Sequence, residues 1–291
     1  VQFRSIKLVL LTLAIGAALT GCSDIAQDEG MAEASLTSPR IYIFDNGEIT
    51  GLDPGLFNFT ADELAEVDFV NVSYLIVHPQ GTLMFDSGAI PDSAFVGHGG
   101  GPVTEGVMSA TLPLLPQLAA AGYAPDDVDY FALSHYHSDH TGNANSFAGA
   151  TWIVQRADRD YMFADDPQGI INSATFDALA GAQTVVLEDE DYDVFGDGSV
   201  IVMSTPGHTP GHQVVAVQLQ NAGTVVLGGD LYHYPEEIAT GRTPTFEFDA
   251  AQSQQSRARI QRYLVANDAT LWIEHDLATH AALPKAPAFV D

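Results

Sequence analysis

"SHYHSDHTGN", Ser134–Asn143, places three histidines and an aspartate within the six residues His135 to His140. The run before it, "VDYFALS" (Val128–Ser134), is apolar and short, and reads as a buried strand. The histidine cluster therefore begins at a strand exit. His135 and His137 alternate, so both rings can face one point while Tyr136 points away. Asp139 and His140 open what reads as a helix, and can turn towards a second point nearby. Imidazole and carboxylate are the ligands zinc accepts when thiolate is absent. One loop rarely completes a coordination shell, but His208 follows "VMSTPG", Asp230 follows "VVLGG" and His275 follows "LWIE". Each of these also stands at a strand exit, where a rigid sheet can bring side chains to one point. A carboxylate such as Asp230 can bridge two cations and lower their mutual repulsion.

The rest of the chain supports a single folded domain. Of 291 residues, 46% are hydrophobic, which is ample for a core and argues against disorder. From Arg40 the pattern is strand-rich. "RIYIFDNGEI" opens it; "VNVSYLIVHP" and "GTLMFDSGA" form an expected hairpin; and strands are expected at Ala150–Gln155, Thr184–Glu188, Ser199–Thr205, His212–Gln220 and Gly223–Asp230. Helices are expected over Glu105–Gly122, despite its prolines, and over Ala250–Asn267, where the pattern is amphipathic. The fold class expected is α+β. Acidic residues outnumber Lys and Arg by 38 to 10, a formal net charge of −28. Such a surface repels phosphates at long range and excludes nucleic acid as a natural partner. "GGGP" (Gly99–Pro102) lacks the lysine of a phosphate cradle.

Residues 1–22 read as a signal peptide. Arg4 and Lys7 precede the apolar run "LVLLTLAIGAAL" (Leu8–Leu19), which is short for a membrane span and leads to "LTGC". Residues 23–39 are small and polar, a flexible tether, and the domain occupies residues 40–291. Cys22 is the only cysteine, so no intramolecular disulfide forms and every zinc ligand must be His, Asp or Glu.

Two resemblances follow from these residues. "LTGC" resembles the bacterial lipobox, which implies lipidation of Cys22 and an exported protein. Its membrane contact would be through the lipid alone, on the periplasmic or surface side of the envelope, with Ser23 compatible with the outer membrane. "HYHSDH" (His135–His140), "TPGHTPGH" (Thr205–His212), "GGD" (Gly228–Asp230) and "IEHD" (Ile273–Asp276) together resemble the metallo-β-lactamase-fold hydrolases, from about Arg40 to at least Asp276. The resemblance implies an αβ/βα four-layer sandwich with two metals at one sheet edge. His135, His137 and His208 would hold the first Zn2+, and Asp139, His140 and His275 the second, with Asp230 bridging. Mn, Co or Fe could serve instead. His212 falls off the ligand position and is expected to be structural.

Within that family, "SHYHSDHTGN" and "TPGHTPGHQ" are most similar to the N-acyl-homoserine-lactone lactonases, the quorum-quenching hydrolases. This implies attack of a metal-bridging hydroxide on the lactone carbonyl, with Asp139 accepting and passing on the proton. A tyrosine shortly after the bridging Asp is expected to meet the carbonyl oxygen. Here "GGDLYHYPEE" offers Tyr232 and Tyr234, neither at the family spacing, with His233 as a substitute. Phe57, Phe59, Phe95 and Met108 are candidate walls for an acyl tail. The alternatives to this reading are a class B3-like β-lactamase or an organophosphate or aryl-ester hydrolase with the same metal site. A tethered zinc-binding protein without turnover is the remaining class, and both monomer and homodimer are open.

Overall fold

The computed structural model describes residues 36–291, Gln168 apart. The leader, Cys22 and all but the end of the tether lie outside the described residues. Eight strands lead into the first sheet: β1 (Arg40–Ile49), β2 (Phe69–His78), β3 (Gly81–Phe85), β4 (Val103–Glu105), β5 (Met108–Ala110), β6 (Tyr130–Ala132), β7 (Thr151–Gln155) and β8 (Thr184–Leu187). The second sheet follows with β9 (Tyr192–Asp193), β10 (Val200–Ser204), β11 (Gln213–Leu219), β12 (Gly223–Leu227) and β13 (Thr270–Trp272), before β14 (Phe289–Val290) returns to pair with β1. The strand orders are β4-β5-β1-β2-β3-β6-β7-β8 and β13-β12-β11-β10-β9. Pairing is antiparallel at the β2–β3 hairpin and parallel from β3 through β6 and β7 to β8.

Alternation along the strands makes four layers. Ile41, Ile43, Val72, Ile76, Leu83 and Phe85 of the first sheet meet Val200, Val202, Val215, Val217 and Leu227 of the second, and all are buried. The opposite face of the first sheet carries Phe44, Leu75, Met84, Phe131 and Trp152, which pack on Leu114 and Leu118 of the helix Leu114–Ala120. The outer face of the second carries Met203, Val214, Ala216 and Val226, packed on Ile260 of the helix Ala250–Asn267. The result is an αβ/βα sandwich.

Two elements depart from the pattern reading. The helix expected over Glu105–Gly122 is confined to Leu114–Ala120, because β4 and β5 form a hairpin around Gly106, whose φ of +63° supplies the turn. β5 then pairs with β1, with Glu48 opposite Ser109, so sheet pairing outweighs local helix propensity. The helix Ala250–Asn267 has the expected bounds and is capped by Asp249, which accepts from the backbone N–H of Ala251 and Gln252. Its inner face is not simply apolar: Ser253, Ser256 and Arg257 are buried along with Ile260.

Candidate metal centre

The C-terminal ends of β6, β10, β12 and β13 lie at one edge of the sandwich. His135 leaves β6, with Ser134 fixed on either side: its N–H donates to Asp86 Oδ1 at 2.6 Å, and its carbonyl accepts from Gln213 N at 2.9 Å. These bonds tie the first sheet to the start of β11 and set the direction in which the histidine run leaves. The short helix Ser138–Thr141 then turns Asp139 and His140 back towards the edge.

Two groups of ligand atoms share Asp230. His135, His137, His208 and Asp230 form one, and Asp139, His140, Asp230 and His275 the other; within each, one atom per residue lies within 4.8 Å of the others. His137 Nδ1 is 2.8 Å from His135 Nε2 and 3.0 Å from His208 Nε2. Asp230 turns one oxygen to each group. Its Oδ2 is 3.3 Å from His208 Nε2 and 3.7 Å from His135 Nε2, while its Oδ1 is 3.2 Å from His140 Nε2 and 3.0 Å from His275 Nε2. Asp139 Oδ2 completes the second group, 3.4 Å from His140 Nε2 and 3.7 Å from His275 Nε2.

These residues fit divalent metal ions. Ligands at about 2.1 Å around a tetrahedral ion would stand about 3.4 Å apart, close to the separations seen. His140 Nε2 and Asp230 Oδ1 are buried and lie 3.2 Å apart without forming an aligned hydrogen bond, the arrangement of two ligand atoms directed at a common cation. Burial, reinforced by His140 and His137, pushes His135 well below the usual histidine range; burial and His208 push His137 down to about 3. Both rings are thereby neutral, with lone pairs free to ligate. Burial alone would raise Asp139, but His140 and His275 hold it well below the usual carboxylate range.

A layer of acceptors fixes the rings from behind. His275 Nδ1 donates to Val70 O at 2.9 Å, and His208 Nδ1 faces Glu247 Oε1 at 3.5 Å. His140 Nδ1 lies 3.2 Å from both Asp86 Oδ2 and Glu274 Oε1. Such contacts select the tautomer and orient the ligating nitrogen. His212 serves in the same layer and stands outside both groups. Its Nδ1 lies 2.8 Å from Thr205 Oγ1, and its Nε2 accepts from Asp230 N at 3.1 Å. The second histidine of "TPGHTPGH" therefore holds the backbone of the shared aspartate.

Above the cluster opens a cavity of about 150 Å³. His137, Ser138, Asp139, Asp230, His233 and His275 form its floor, and Ile49, Leu52, Phe57, Phe69, Val107, Met108, Ile170 and Phe246 its apolar wall. Of the candidate tail residues, Phe57 and Met108 face this space. Phe59 does not: it packs on Tyr234, beneath the guanidinium of Arg242. Phe95 is buried elsewhere, with Ala89, Ile90, Val103 and Ala110. Neither tyrosine reaches the floor. Tyr234 OH donates to Val67 O at 2.8 Å, and Tyr232 lies beneath Arg257 with its hydroxyl 3.4 Å from Gln261 Nε2. Between them the chain turns His233 inward, with Nε2 3.1 Å from Asp230 Oδ2. Phe69 and Phe246 were not singled out from sequence. Phe69 stacks on His275 with ring centroids 4.8 Å apart, and the aromatic pair flanking Glu247 was the available signal for Phe246.

A sandwich of this layering, with a histidine-aspartate cluster at its strand ends, defines a class of metal-dependent hydrolases. The chain belongs to the metallo-beta-lactamase superfamily, whose family model matches residues 67–271. It is 34% identical over 229 residues to the N-acyl homoserine lactonase AttM of Agrobacterium fabrum, covering 74% of this chain and 85% of that one. An N-acyl homoserine lactonase of a Bacillus species is 27% identical over 264 residues, 88% of this chain and all of the other. Among solved structures, an N-acyl homoserine lactone hydrolase with N-hexanoyl-L-homoserine at its catalytic metal center superposes with a TM-score of 0.70 at 23% identity, covering 88% of this chain and 100% of that one.

Proposed function

We propose that this hydrolase opens the lactone ring of N-acyl homoserine lactones at a pair of divalent ions, zinc in the first instance. The observation that carries the reading is Asp230, shared between two ligand groups on the floor of an apolar cavity. His135, His137 and His208 would hold one ion, and Asp139, His140 and His275 the other. Two ions held there would lower the pKa of a shared water and polarise the ring carbonyl.

The protein's own groups do the rest. Asp139 lies on the cavity floor, where its carboxylate can take a proton and return it to the departing ring oxygen. His233 Nε2, and not a tyrosine hydroxyl, is the polar group presented to substrate beside Asp230. Phe57, Phe69, Met108 and Phe246 form the wall against which an acyl tail would lie, excluding water from the ring.

The cavity wall favours this substrate over a β-lactam. Among the described residues lining it there are two carboxylates and neither lysine nor arginine. A β-lactam's carboxylate would meet no counter-charge except the metals, whereas an acyl lactone is uncharged. Export and lipidation at Cys22 are proposed from the leader alone; growth with labelled fatty acid should label the wild type and not Cys22→Ser.

The test is paired turnover by the zinc-loaded protein, with a medium-chain acyl homoserine lactone in one arm and nitrocefin in the other. Lactone opening that is lost in His135→Ala and Asp139→Asn supports the reading. Rapid nitrocefin cleavage with negligible lactone opening would transfer the site to β-lactams.

A further inference from the structure

The segment after Asp230 is braced by a buried charge pair that belongs to neither ligand group. Arg257, on the helix Ala250–Asn267, is 3% exposed, and Glu237 is fully buried. Glu237 Oε2 accepts from Arg257 Nη2 at 2.6 Å. Arg257 Nε donates to Leu231 O at 2.7 Å and Nη1 to Arg242 O at 2.6 Å, while its plane covers the ring of Tyr232. One guanidinium thus grips both ends of the segment carrying His233.

The other side of Glu237 is the informative one. Its Oε1 has no hydrogen-bond partner, and neither has His233 Nδ1, yet the two atoms face each other 3.6 Å apart. Leaving two buried polar atoms unpaired costs the full desolvation of each. A hydrogen on Nδ1 satisfies both, with a closure of about half an ångström. A buried ion pair is also a poor choice for stability alone, because apolar side chains of similar volume usually serve as well or better. Its use here points to something it orients.

We propose that Glu237 and Arg257 are positioning residues that hold the His233 ring with Nδ1–H towards Glu237 and Nε2–H towards Asp230 Oδ2 and the cavity. Arg257 fixes the carboxylate, the carboxylate fixes the ring, and the ring presents one defined nitrogen to the substrate. This rests on the reading of the cavity as the lactone site.

Glu237→Gln tests it with almost no change of shape. The donors of Arg257 require an acceptor, so the new carbonyl faces Arg257 and the NH2 faces His233 Nδ1, reversing the polarity at the ring. Two readouts are taken on the zinc-loaded full chain. The first is the side-chain 1H–15N spectrum, with His233→Phe assigning the protected Nδ1–H signal. The second is kcat and KM on a medium-chain acyl homoserine lactone, with metal content and melting temperature measured alongside. The signal is expected in the wild type and lost in Glu237→Gln. With it kcat falls by about 10–100-fold, the range for groups that orient a site histidine, while KM and metal content hold. Arg257→Lys keeps the charge without the fork, and is expected to move both readouts the same way if Glu237→Gln does not fold. A signal that persists in the variants, or a kcat that is unchanged when it is lost, overturns the proposal. If the wild type opens no acyl lactone, the lactone reading fails while the spectrum still decides the positioning.

Discussion

Glu247 supports His208 from the loop that also supplies the cavity wall: its Oε1 lies 3.5 Å from His208 Nδ1, and the preceding residue, Phe246, faces the cavity. The brace on a candidate metal ligand and the wall of the cavity therefore share one short stretch of backbone. Glu247 Oε1 faces that ring alone, while Oε2 accepts from Ser253 Oγ, which holds the carboxylate in place. Glu247→Ala should weaken zinc binding at the His135, His137 and His208 group by about 10–100-fold. Competition with a chromogenic chelator measures this, and equal affinity in the variant would remove the supporting role.

The tyrosines and the histidine between them make opposite predictions. Tyr232→Phe should leave kcat within about twofold, because its hydroxyl faces Gln261 and not the cavity. His233→Leu, which removes the inward-facing polar group, should lower kcat/KM by about 100-fold, the loss of roughly 3 kcal/mol of transition-state stabilisation. If Tyr232→Phe proves to be the damaging change, the hydroxyl must reach the substrate in a conformation other than this one.

Asp158 gives the loop of His208 a pH dependence. It is buried and accepts from Thr209 Oγ1 at 2.8 Å and Gly211 N at 2.6 Å, and burial outweighs those bonds to raise it to about 7. The folded pKa lies above the unfolded one of 3.8, so between those values the folded chain keeps a proton that the unfolded chain releases. Stability from this residue is therefore present at low pH and falls as pH rises through the window, by up to about 4 kcal/mol. Asp158→Asn should flatten that part of the profile: denaturant melts at pH 5 and pH 7 should give a wild-type-minus-variant difference that declines with pH. A difference that is constant or grows would contradict the assignment.

The ligand-bearing segments stand out in the sequence because each is local. "HYHSDH", "TPGH", "GGD" and "EHD" directly follow apolar runs, and a strand end fixes where its next residue goes. The cavity wall has no such signature. Phe69, Phe246 and Ile170 come from three separate parts of the chain, and an apolar side chain has the same composition whether it plugs a core, as Phe59 and Phe95 do, or lines a cavity. Tyr232, His233 and Tyr234 show a finer limit. Three consecutive aromatic rings alternate in direction, and which one turns inward is set by Arg257 and Glu237, residues that arrive from other elements. The β4–β5 hairpin was hidden for a related reason, since its partner, β1, is distant in sequence.

Gly207 ties His208 to the long helix through the lack of a side chain. Its φ is +142°, and a Cβ there would sit 2.3 Å from both Ser253 N and Ser253 Oγ. Gly207 also accepts from Asp249 N at 2.9 Å, so the loop is clamped to the start of the helix and cannot easily withdraw. Gly207→Ala should cost about 3 kcal/mol, from overpacking and an unfavourable backbone conformation together. The strain falls on the residue before a ligand, so zinc bound by the His135, His137 and His208 group should fall with it. Ser253→Ala in the same chain removes the hydroxyl but leaves the backbone nitrogen, so it should not restore stability. Full rescue by Ser253→Ala would mean that the clash is with the side chain and that the helix backbone can yield. Metal content and melting temperature of the single and double variants distinguish the two.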